Sequence, residues 1–156
     1  MYKKCISLCR EMTIKFVVPT KMFYFAPHIT SAHPMEHTYW ICLGSNHEPH
    51  THIPKAQAIL KQLFPNIRFA PEEETSPIGI NSSAMFVNQV ALFRSSLSID
   101  EIKAQLKQTE TYLGRRPEHK ITHLICIDID LLRCDGQILK PNDWQRDYVQ
   151  RGLKHV

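Results

Sequence analysis

Apolar and polar positions follow a regular order from residue 38 onward. Residues 38–43 form a short apolar run rich in aromatic and β-type side chains, and Gly44 follows it, which predicts a buried strand and then a turn. The next apolar positions repeat at helical spacing up to residue 64, with Pro54 in the expected first turn. Because Pro65 cannot continue a helix, the sequence predicts a helix between these two prolines.

Two further strands are predicted on either side of a loop. Residues 67–69 begin a second strand that runs toward Thr75, and residues 85–93 form a third. Residues 76–83 lie between them and contain Ser, Pro, Gly and Asn, which are typical of a loop.

A second helix and a last pair of strands complete the pattern. Ser98, with a glutamate three residues later, forms the capping box of a helix that Gly114 is placed to end. Residues 124–132 then form a fourth strand. The Asp-Gly pair at 135–136 predicts a hairpin turn into residues 137–139, and the tail beyond is polar and ambiguous.

The predicted order is therefore β-α-β-β-α-β with an added C-terminal hairpin. Two split βαβ units with right-handed crossovers give an α+β fold, the ferredoxin-like sandwich, in which two helices cover one face of an antiparallel sheet. A fold of this kind hosts many functions, so function has to be argued from particular residues.

Residues 1–34 differ from the rest because no helix or strand period holds there for long. We expect an irregular N-terminal extension, and Met35, just before the first strand, raises the alternative of a non-native start upstream. A separate helix packed on the domain stays open as well. Charged residues interrupt any apolar segment that could serve as a signal peptide. The domain proper is predicted to cover residues 35–156.

Charge and cysteine content limit the partners and the cellular compartment that the sequence allows. The net charge is +4, of which residues 1–37 carry +3, so the nearly neutral domain argues against broad binding to nucleic acid. No apolar run is long enough to span a bilayer. The five cysteines form no CxxC pair, which favours a reducing compartment, and we expect a cytoplasmic protein.

Two acids in the fourth predicted strand are the main candidate for chemistry. Asp128 and Asp130 alternate with apolar residues, so both project from one face of the strand. Adjacent carboxylates disfavour each other's ionisation, and a shared hard cation such as Mg²⁺, with substrate phosphates as further ligands, removes that conflict. The alternative is a solvated face with two incidental acids.

Basic residues precede this strand. Arg115 and Arg116 follow the second helix, with His119 and Lys120 close behind. Arginines near a Mg²⁺ site commonly clamp phosphates. The alternative is a solvated loop, because basic residues are favoured at helix C-termini in any case.

The third predicted strand offers residues suited to a flat heterocycle. Asn88 presents both a donor and an acceptor, and Phe86 on the same face could stack on a ring. Ordinary strand packing would explain the pair equally well. His47, His50 and His52 have a spacing that permits a metal, but no fourth ligand is evident, so a loop near a nucleotide is an equal interpretation.

Five segments, taken in order, resemble the family of 6-hydroxymethyl-7,8-dihydropterin pyrophosphokinases. The resemblance extends from Tyr39 to Gly152, nearly the whole domain. The segments are YWICLGSN, TSPIG, FVNQV, ETYLGR and DIDLL.

The resemblance implies a ferredoxin-like enzyme of folate biosynthesis that moves a pyrophosphoryl group from ATP to the hydroxymethyl group of a pterin. It implies two Mg²⁺ ions, both held by Asp128 and Asp130. No protein nucleophile is expected, since catalysis would be positioning plus charge neutralisation. The implied pterin contacts are Thr75, Ile78, Phe86 and Asn88, and the implied nucleotide contacts are Glu110, Arg115, Arg116 and Arg151.

Some family positions are altered in this chain. Ile125 stands where the family has an arginine three residues before the first aspartate, and Thr122 replaces a tryptophan. Lys120, in the adjoining loop, is the best substitute for the missing charge because its long stem can reach a phosphate from several loop positions. Further departures fall at Pro117, Asn142 and Leu153.

Three functions remain at this point. The first is a Mg²⁺-dependent pyrophosphokinase that acts as a monomer on ATP and a pterin, without nucleic acid or membrane partners. The alternative is a catalytically impaired homologue that binds nucleotide or pterin as a regulatory or partner module, which the loss at Ile125 favours. An RNA-binding sheet is a third, and the paired acids on that sheet speak against it.

Overall fold

A computed structural model describes residues 35–77 and 84–156, and the predictions for residues 1–34 and for Ile78 lie outside this part. The strands are β1 (His37–Ser45), β2 (Arg68–Phe69), β3 (Glu73–Thr75), β4 (Phe86–Ser95), β5 (Asp128–Cys134) and β6 (Gln137–Ile138). The helices are α1 (Pro49–Leu63), α2 (Ile99–Tyr112), α3 (His119–Thr122), α4 (Pro141–Trp144) and α5 (Asp147–Gly152), followed by a 3₁₀ turn over Leu153–His155.

The sheet is antiparallel throughout its described pairings. Its order is β2-β4-β1-β5-β6, and β3 also pairs with β4. β1 lies at the centre, where its residues pair with β4 along their whole length and with β5 from Tyr39 to Gly44. The α+β class predicted from the sequence is confirmed by this mixture of helices and antiparallel strands.

Each face of the sheet carries its own apolar cluster. On one face, alternate residues of β1 such as Ile41 pack with Leu60 of α1 and Leu106 of α2. On the other face, Cys42 and Val149 of α5 belong to a smaller cluster. The predicted pair of helices on one face is present, and α5 adds a partial layer on the other, which the ambiguous tail of the sequence did not reveal.

The second helix follows its sequence signals closely. The Ser98 hydroxyl accepts from the Glu101 N–H at 3.4 Å, while the Glu101 carboxylate accepts from the Ser98 N–H at 2.8 Å, so the capping box is confirmed. Gly114 has a φ of 92°, the left-handed conformation that ends a helix at low cost for glycine. The predicted hairpin is also present, with β6 following Asp135 and Gly136.

The predicted start of the first helix is wrong. α1 begins at Pro49, so Pro54 lies inside the helix rather than in its first turn. Pro49 takes the first helical position, where a missing N–H costs nothing. Pro54 gives up one backbone hydrogen bond, and the helix nevertheless buries Ile53 and Ala56 on either side of it.

The fourth predicted strand begins later than expected, at Asp128 instead of residue 124. The N–H groups of Asn46 and His47 donate to the Ile125 carbonyl at 3.0 and 3.2 Å, and the Asn46 side chain accepts from the Ile125 N–H at 2.6 Å. These bonds hold residue 125 against the turn after β1. In a regular strand, the side chain of Ile125 would lie on the face opposite that of Asp128. Residue 125 precedes β5, so this alternation does not apply to it.

The second predicted strand is divided. β2 and β3 both pair with β4, and Pro71, which has no N–H to donate, lies between them.

Within the described residues, no helix has the length and apolar character needed to cross a membrane. The three cysteines that the structure describes, Cys42, Cys126 and Cys134, are free and buried.

Candidate functional site

A cavity of about 200 Å³ opens on the face of the sheet that carries α5. It gathers side chains that are far apart in the sequence, from β1, β4, β5 and the C-terminal helices. Those with chemical capacity are Thr75, Ser76, Asn88, Asp128, Asp130, Asp143, Arg146 and Tyr148.

The two predicted aspartates lie together in this cavity. Asp128 pairs across the sheet with Gly44 and Asp130 pairs with Cys42, so both leave β5 on the same side. Ile129 between them is buried in the opposite core. The side chains of Asp128 and Asp130 are 40% and 31% exposed, which leaves their carboxylates within reach of a ligand.

Electrostatics disfavour two charges at this place. Burial raises the pKa of Asp128, and the charge of Glu110 adds to the effect. Burial likewise raises the pKa of Asp130, with a further contribution from Asp128. A pair of half-buried carboxylates with raised pKa values is a set of hard oxygen donors, which fits Mg²⁺ and would gain from its charge.

Arg115 brings a positive charge to the edge of this pair. Its Nη2 is 3.9 Å from Oδ1 of Asp128, and the side chain is only 10% exposed. The buried Nη1 finds no acceptor among the described residues. A buried donor without a partner costs about 1–3 kcal/mol. Arg115 itself does not line the cavity and lies behind Asp128.

Glu110 takes a supporting position behind the aspartates. It is 3% exposed, and its Oε1 accepts the N–H of Ile129 at 2.8 Å. Its Oε2 accepts from Lys107 at 2.5 Å. Glu110 does not line the cavity. Its hydrogen bond to the Ile129 N–H holds β5 in place at the residue between the two aspartates.

The opposite wall of the cavity holds the residues predicted to bind a heterocycle. Nδ2 of Asn88 donates to the Thr75 hydroxyl at 2.8 Å, and Phe86 lies beside them on the lining. Gly44 makes room at this wall, because a Cβ there would lie 3.3 Å from Oδ1 of Asn88. The amide oxygen of Asn88 is therefore kept unobstructed by the glycine opposite.

The remaining predicted cations are spread around the site. Arg116 is exposed, and Lys120 belongs to α3, where its side chain lies outside the described part. Arg151 pairs with Glu73, through Nε at 3.1 Å and through Nη2. The side chains of Arg116 and Arg151 do not line the cavity.

Lys140 is the cation that sequence reasoning missed. Its Nζ donates to Oδ1 of Asp130 in a direct ion pair. Arg146, paired with Asp143 at 2.9 Å, is a second missed cation and lines the cavity. The hairpin turn was the available signal, because a tight turn after β5 returns the following residues to the neighbourhood of Asp130.

Ile125 and the three histidines after β1 can also be located in the structure. Ile125 lines the same cavity as Asp128 and Asp130, next to the turn after β1. His47 and His52 lie ring on ring with centroids 6.1 Å apart. In the described part of the chain, the three-donor groups that could hold a metal do not include His47, His50 or His52, so the metal interpretation of these histidines gains no support.

Comparison with known proteins identifies the family of this chain. No curated protein matches the chain. Among solved structures, a de novo designed protein, Foldit4, is 11% identical with a TM-score of 0.36, covering 66% of this chain and 99% of its own, and a likeness at that level says nothing about function. The model of one family, 7,8-dihydro-6-hydroxymethylpterin-pyrophosphokinase, matches residues 40–156. The chain therefore belongs to the 7,8-dihydro-6-hydroxymethylpterin-pyrophosphokinase family.

Proposed function

We propose that the chain transfers pyrophosphate from ATP to 6-hydroxymethyl-7,8-dihydropterin, with Mg²⁺, in the cavity on the α5 side of the sheet. The observation that carries the proposal is the meeting of two groups in one cavity, the Asp128–Asp130 pair and the Asn88–Thr75 pair. The family membership supports the reaction class. We further propose that the strand order corresponds to the ferredoxin-like sandwich expected from the sequence.

Asp128 and Asp130 are the residues that would hold Mg²⁺. When bound, the ion would supply the positive charge that neutralises the phosphates of ATP. The half-buried setting makes each carboxylate a stronger partner for such an ion than it would be in water. Arg115 is proposed as a contact of the same phosphate chain, because its Nη2 lies 3.9 Å from Asp128.

The pterin is assigned to the wall formed by β3 and β4. Asn88 is 7% exposed, and Thr75 accepts one of its amide hydrogens, which fixes the orientation of the amide. A fixed amide can recognise the edge of a heterocycle through its remaining donor and its acceptor. Phe86 offers an aromatic face to the ring. Ile78 is assigned to the same subsite on the resemblance alone.

Catalysis in this proposal is positioning and charge stabilisation. No side chain needs to form a bond to phosphorus, because the pterin hydroxyl attacks directly. Arg116, Lys120 and Arg151 remain proposed nucleotide contacts. Arg151 would have to leave Glu73 to reach a phosphate, since both of its bonded nitrogens are committed to that carboxylate.

The direct test is AMP formation from ATP and hydroxymethyl-dihydropterin by the full chain. We expect Mg²⁺-dependent turnover, and a loss of about 100-fold or more in Asp128→Asn, by analogy with the removal of other electrostatic stabilisers. Asp100→Asn, an exposed acid on α2, is the matched control and should retain full activity. Equal activity in both variants would remove Asp128 from the site.

A second function is favoured by one observation. Ile125 borders the aspartates where the family resemblance places an arginine, so the chain could bind its ligands without turning them over. Such a homologue would act as a regulatory or partner module. If the wild type is inactive and Ile125→Arg gains AMP formation, this second function is correct. If the wild type is active and Lys120→Ala is unchanged, the enzyme proposal stands and Lys120 is not the replacement charge.

A further inference from the structure

A second cavity, of about 520 Å³, lies at the start of β1, away from the two aspartates. His37, the first residue of β1, is roughly 23 Å along the strand from Gly44, the sheet partner of Asp128, at about 3.3 Å for each residue. The cavity is therefore distinct from the proposed nucleotide and pterin site. The polar side chains on its lining are His37, Ser98, Asp100, Cys134, Asp135 and Gln137.

Three of these side chains bring three kinds of metal-binding atom together. The donor atoms of His37, Cys134 and Asp135 are a nitrogen, a sulfur and an oxygen, and all three lie within 4.8 Å of one another. Bonds from Zn²⁺ to such atoms are about 2.0–2.3 Å long, so two ligands of one tetrahedral ion are roughly 3.3–3.6 Å apart. The three donors therefore need only small movements to share one ion.

The chemistry of the donors selects among metals. Mg²⁺ and Ca²⁺ take oxygen ligands, whereas a thiol and an imidazole beside a carboxylate form a mixed set of the kind that binds Zn²⁺. Cys134 is a free thiol, so its sulfur is not committed to a disulfide. The set therefore differs in kind from the all-oxygen pair of Asp128 and Asp130.

Backbone hydrogen bonds hold the donors in place without a metal. Oδ1 of Asp135 accepts the Thr38 N–H at 2.7 Å, and the Asp135 N–H donates to the Thr38 carbonyl at 2.8 Å. These two bonds tie the hairpin turn to β1 beside His37. They leave Oδ2 of Asp135 facing His37, whose Nδ1 is 2.7 Å away. Such an outer hydrogen bond commonly orients a ligating carboxylate in a metal site.

The exposure of the three residues gives an ion a way in. The side chains of His37 and Asp135 are 39% and 50% exposed, while Cys134 is 7% exposed. An ion that enters from the cavity meets the imidazole and the carboxylate first and the sulfur at the base. The cavity also leaves room for a water molecule beside the ion.

We propose that His37, Cys134 and Asp135 bind one Zn²⁺ ion, with a water molecule from the cavity as the fourth ligand. Binding replaces the hydrogen bond between His37 and Asp135, because 2.7 Å is too short for two ligands of one tetrahedral ion, and it releases the thiol proton of Cys134 to solvent. The ion joins the start of β1 to the turn between β5 and β6. This site does not depend on the proposed function.

The test titrates the full, metal-free chain with Co²⁺, which substitutes for Zn²⁺ and gives a charge-transfer absorption band when a thiolate is bound. We expect one Co²⁺ with this band per wild-type chain, and loss of the band when Zn²⁺ is added. Cys134→Ser should lack the band. Cys126→Ser, which removes a similarly buried thiol, is the matched control and should keep it.

The two other ligands give an independent readout of Co²⁺ affinity. Loss of a direct ligand should cost at least as much as loss of an outer partner, so His37→Gln and Asp135→Asn should each weaken binding by about 10–100-fold or more. His50→Gln, an exposed histidine on α1, is the matched control and should bind as wild type does. If Cys134→Ser does not fold, judged by circular dichroism, the comparison of His37→Gln with His50→Gln still decides.

Asp128→Asn separates this site from the proposed Mg²⁺ site. We expect the Co²⁺ band to be unchanged in this variant, even if the variant no longer binds nucleotide. A band of full strength in Cys134→Ser, an unchanged affinity in His37→Gln, or loss of the band in Asp128→Asn would overturn the proposed Zn²⁺ site. A normal Co²⁺ band in a wild-type chain that forms no AMP would reject the proposed function and leave the Zn²⁺ site standing.

Discussion

Alternate residues of β1 enter two different environments. Tyr39, Ile41 and Leu43 are completely buried beneath the helices α1 and α2, whereas Cys42 and Gly44 border the cavity on the other face. The helix-covered face is closely packed and apolar. The cavity face mixes a few apolar residues with carboxylates, an amide and cations. One strand therefore serves stability on one side and chemistry on the other, because its side chains alternate.

The difference between the two faces predicts that the stability of the fold and its affinity for ligands can be changed separately. Groups on the helix-covered face gain free energy from burial of apolar surface. On the cavity face, burial raises the pKa values of Asp128 and Asp130, so these acids are held in an environment that disfavours their charge. Substitutions on the first face should lower the free energy of unfolding, and substitutions on the second should lower ligand affinity.

Phe93→Ala should have the largest effect on stability. Phe93 is fully buried and stacks on Phe64, with ring centroids 3.9 Å apart, and on Tyr39 at 5.4 Å. Truncation removes these contacts and leaves a cavity, so we expect a loss of about 3–5 kcal/mol in urea unfolding. Phe86→Ala, on the cavity face of β4, is the matched variant and should lose less stability but most of the pterin affinity. Similar losses of stability in Phe93→Ala and Phe86→Ala would contradict the assignment of stability to one face and ligand binding to the other.

Gly152→Ala tests how closely α5 approaches the cavity face. A Cβ at this position would lie 2.6 Å from a methyl group of Val90 on β4, which is too close to be accommodated without movement. We expect a loss of about 1–3 kcal/mol from overpacking, measured by thermal unfolding. Gly136→Ala is the control, because a Cβ there meets nothing within 4 Å. A neutral result at Gly152 would show that α5 can shift freely.

The smallest effect is expected from the ion pair between β3 and α5. Arg151 lowers the pKa of Glu73 by hydrogen bonding to its carboxylate. A lowered folded-state pKa means that the pair stabilises the fold at neutral pH and that this contribution is lost as pH falls through the carboxyl pKa. Glu73→Gln should therefore cost about 1 kcal/mol or less at pH 7 and nothing in strong acid. Glu74→Gln, an exposed neighbour, should be neutral at both, and a loss at Glu73 that does not change with pH would contradict the assignment.

The parts of the fold that local sequence signals determine were predictable. The capping box at Ser98, the left-handed Gly114 and the alternation that unites Asp128 with Asp130 each depend on residues a few positions apart. The apolar stripe of α2 also contained an overlooked signal, because Glu110 follows Leu106 at helical spacing and so had to be a buried acid.

The parts that were missed depend on contacts distant in the sequence. The position of Ile125 is set by a side chain of Asn46, 79 residues away. The contact of Lys140 with Asp130 requires both the hairpin turn and the start of α4. The contact of Asn46 with Ile125 has no sequence pattern of its own, since it arises only when the sheet has assembled. The contact of Lys140 with Asp130 has the hairpin turn as a partial signal.

The cavity face as a nucleotide and pterin site is the central claim, and calorimetry tests it most directly. The full chain would be titrated with a non-hydrolysable ATP analogue in the presence of Mg²⁺, and then with 6-hydroxymethyl-7,8-dihydropterin. We predict Mg²⁺-dependent binding of the analogue that Asp128→Asn abolishes, followed by pterin binding that Asn88→Ala weakens by about tenfold or more. Nucleotide binding that is unchanged in Asp128→Asn, or that does not depend on Mg²⁺, would contradict the account.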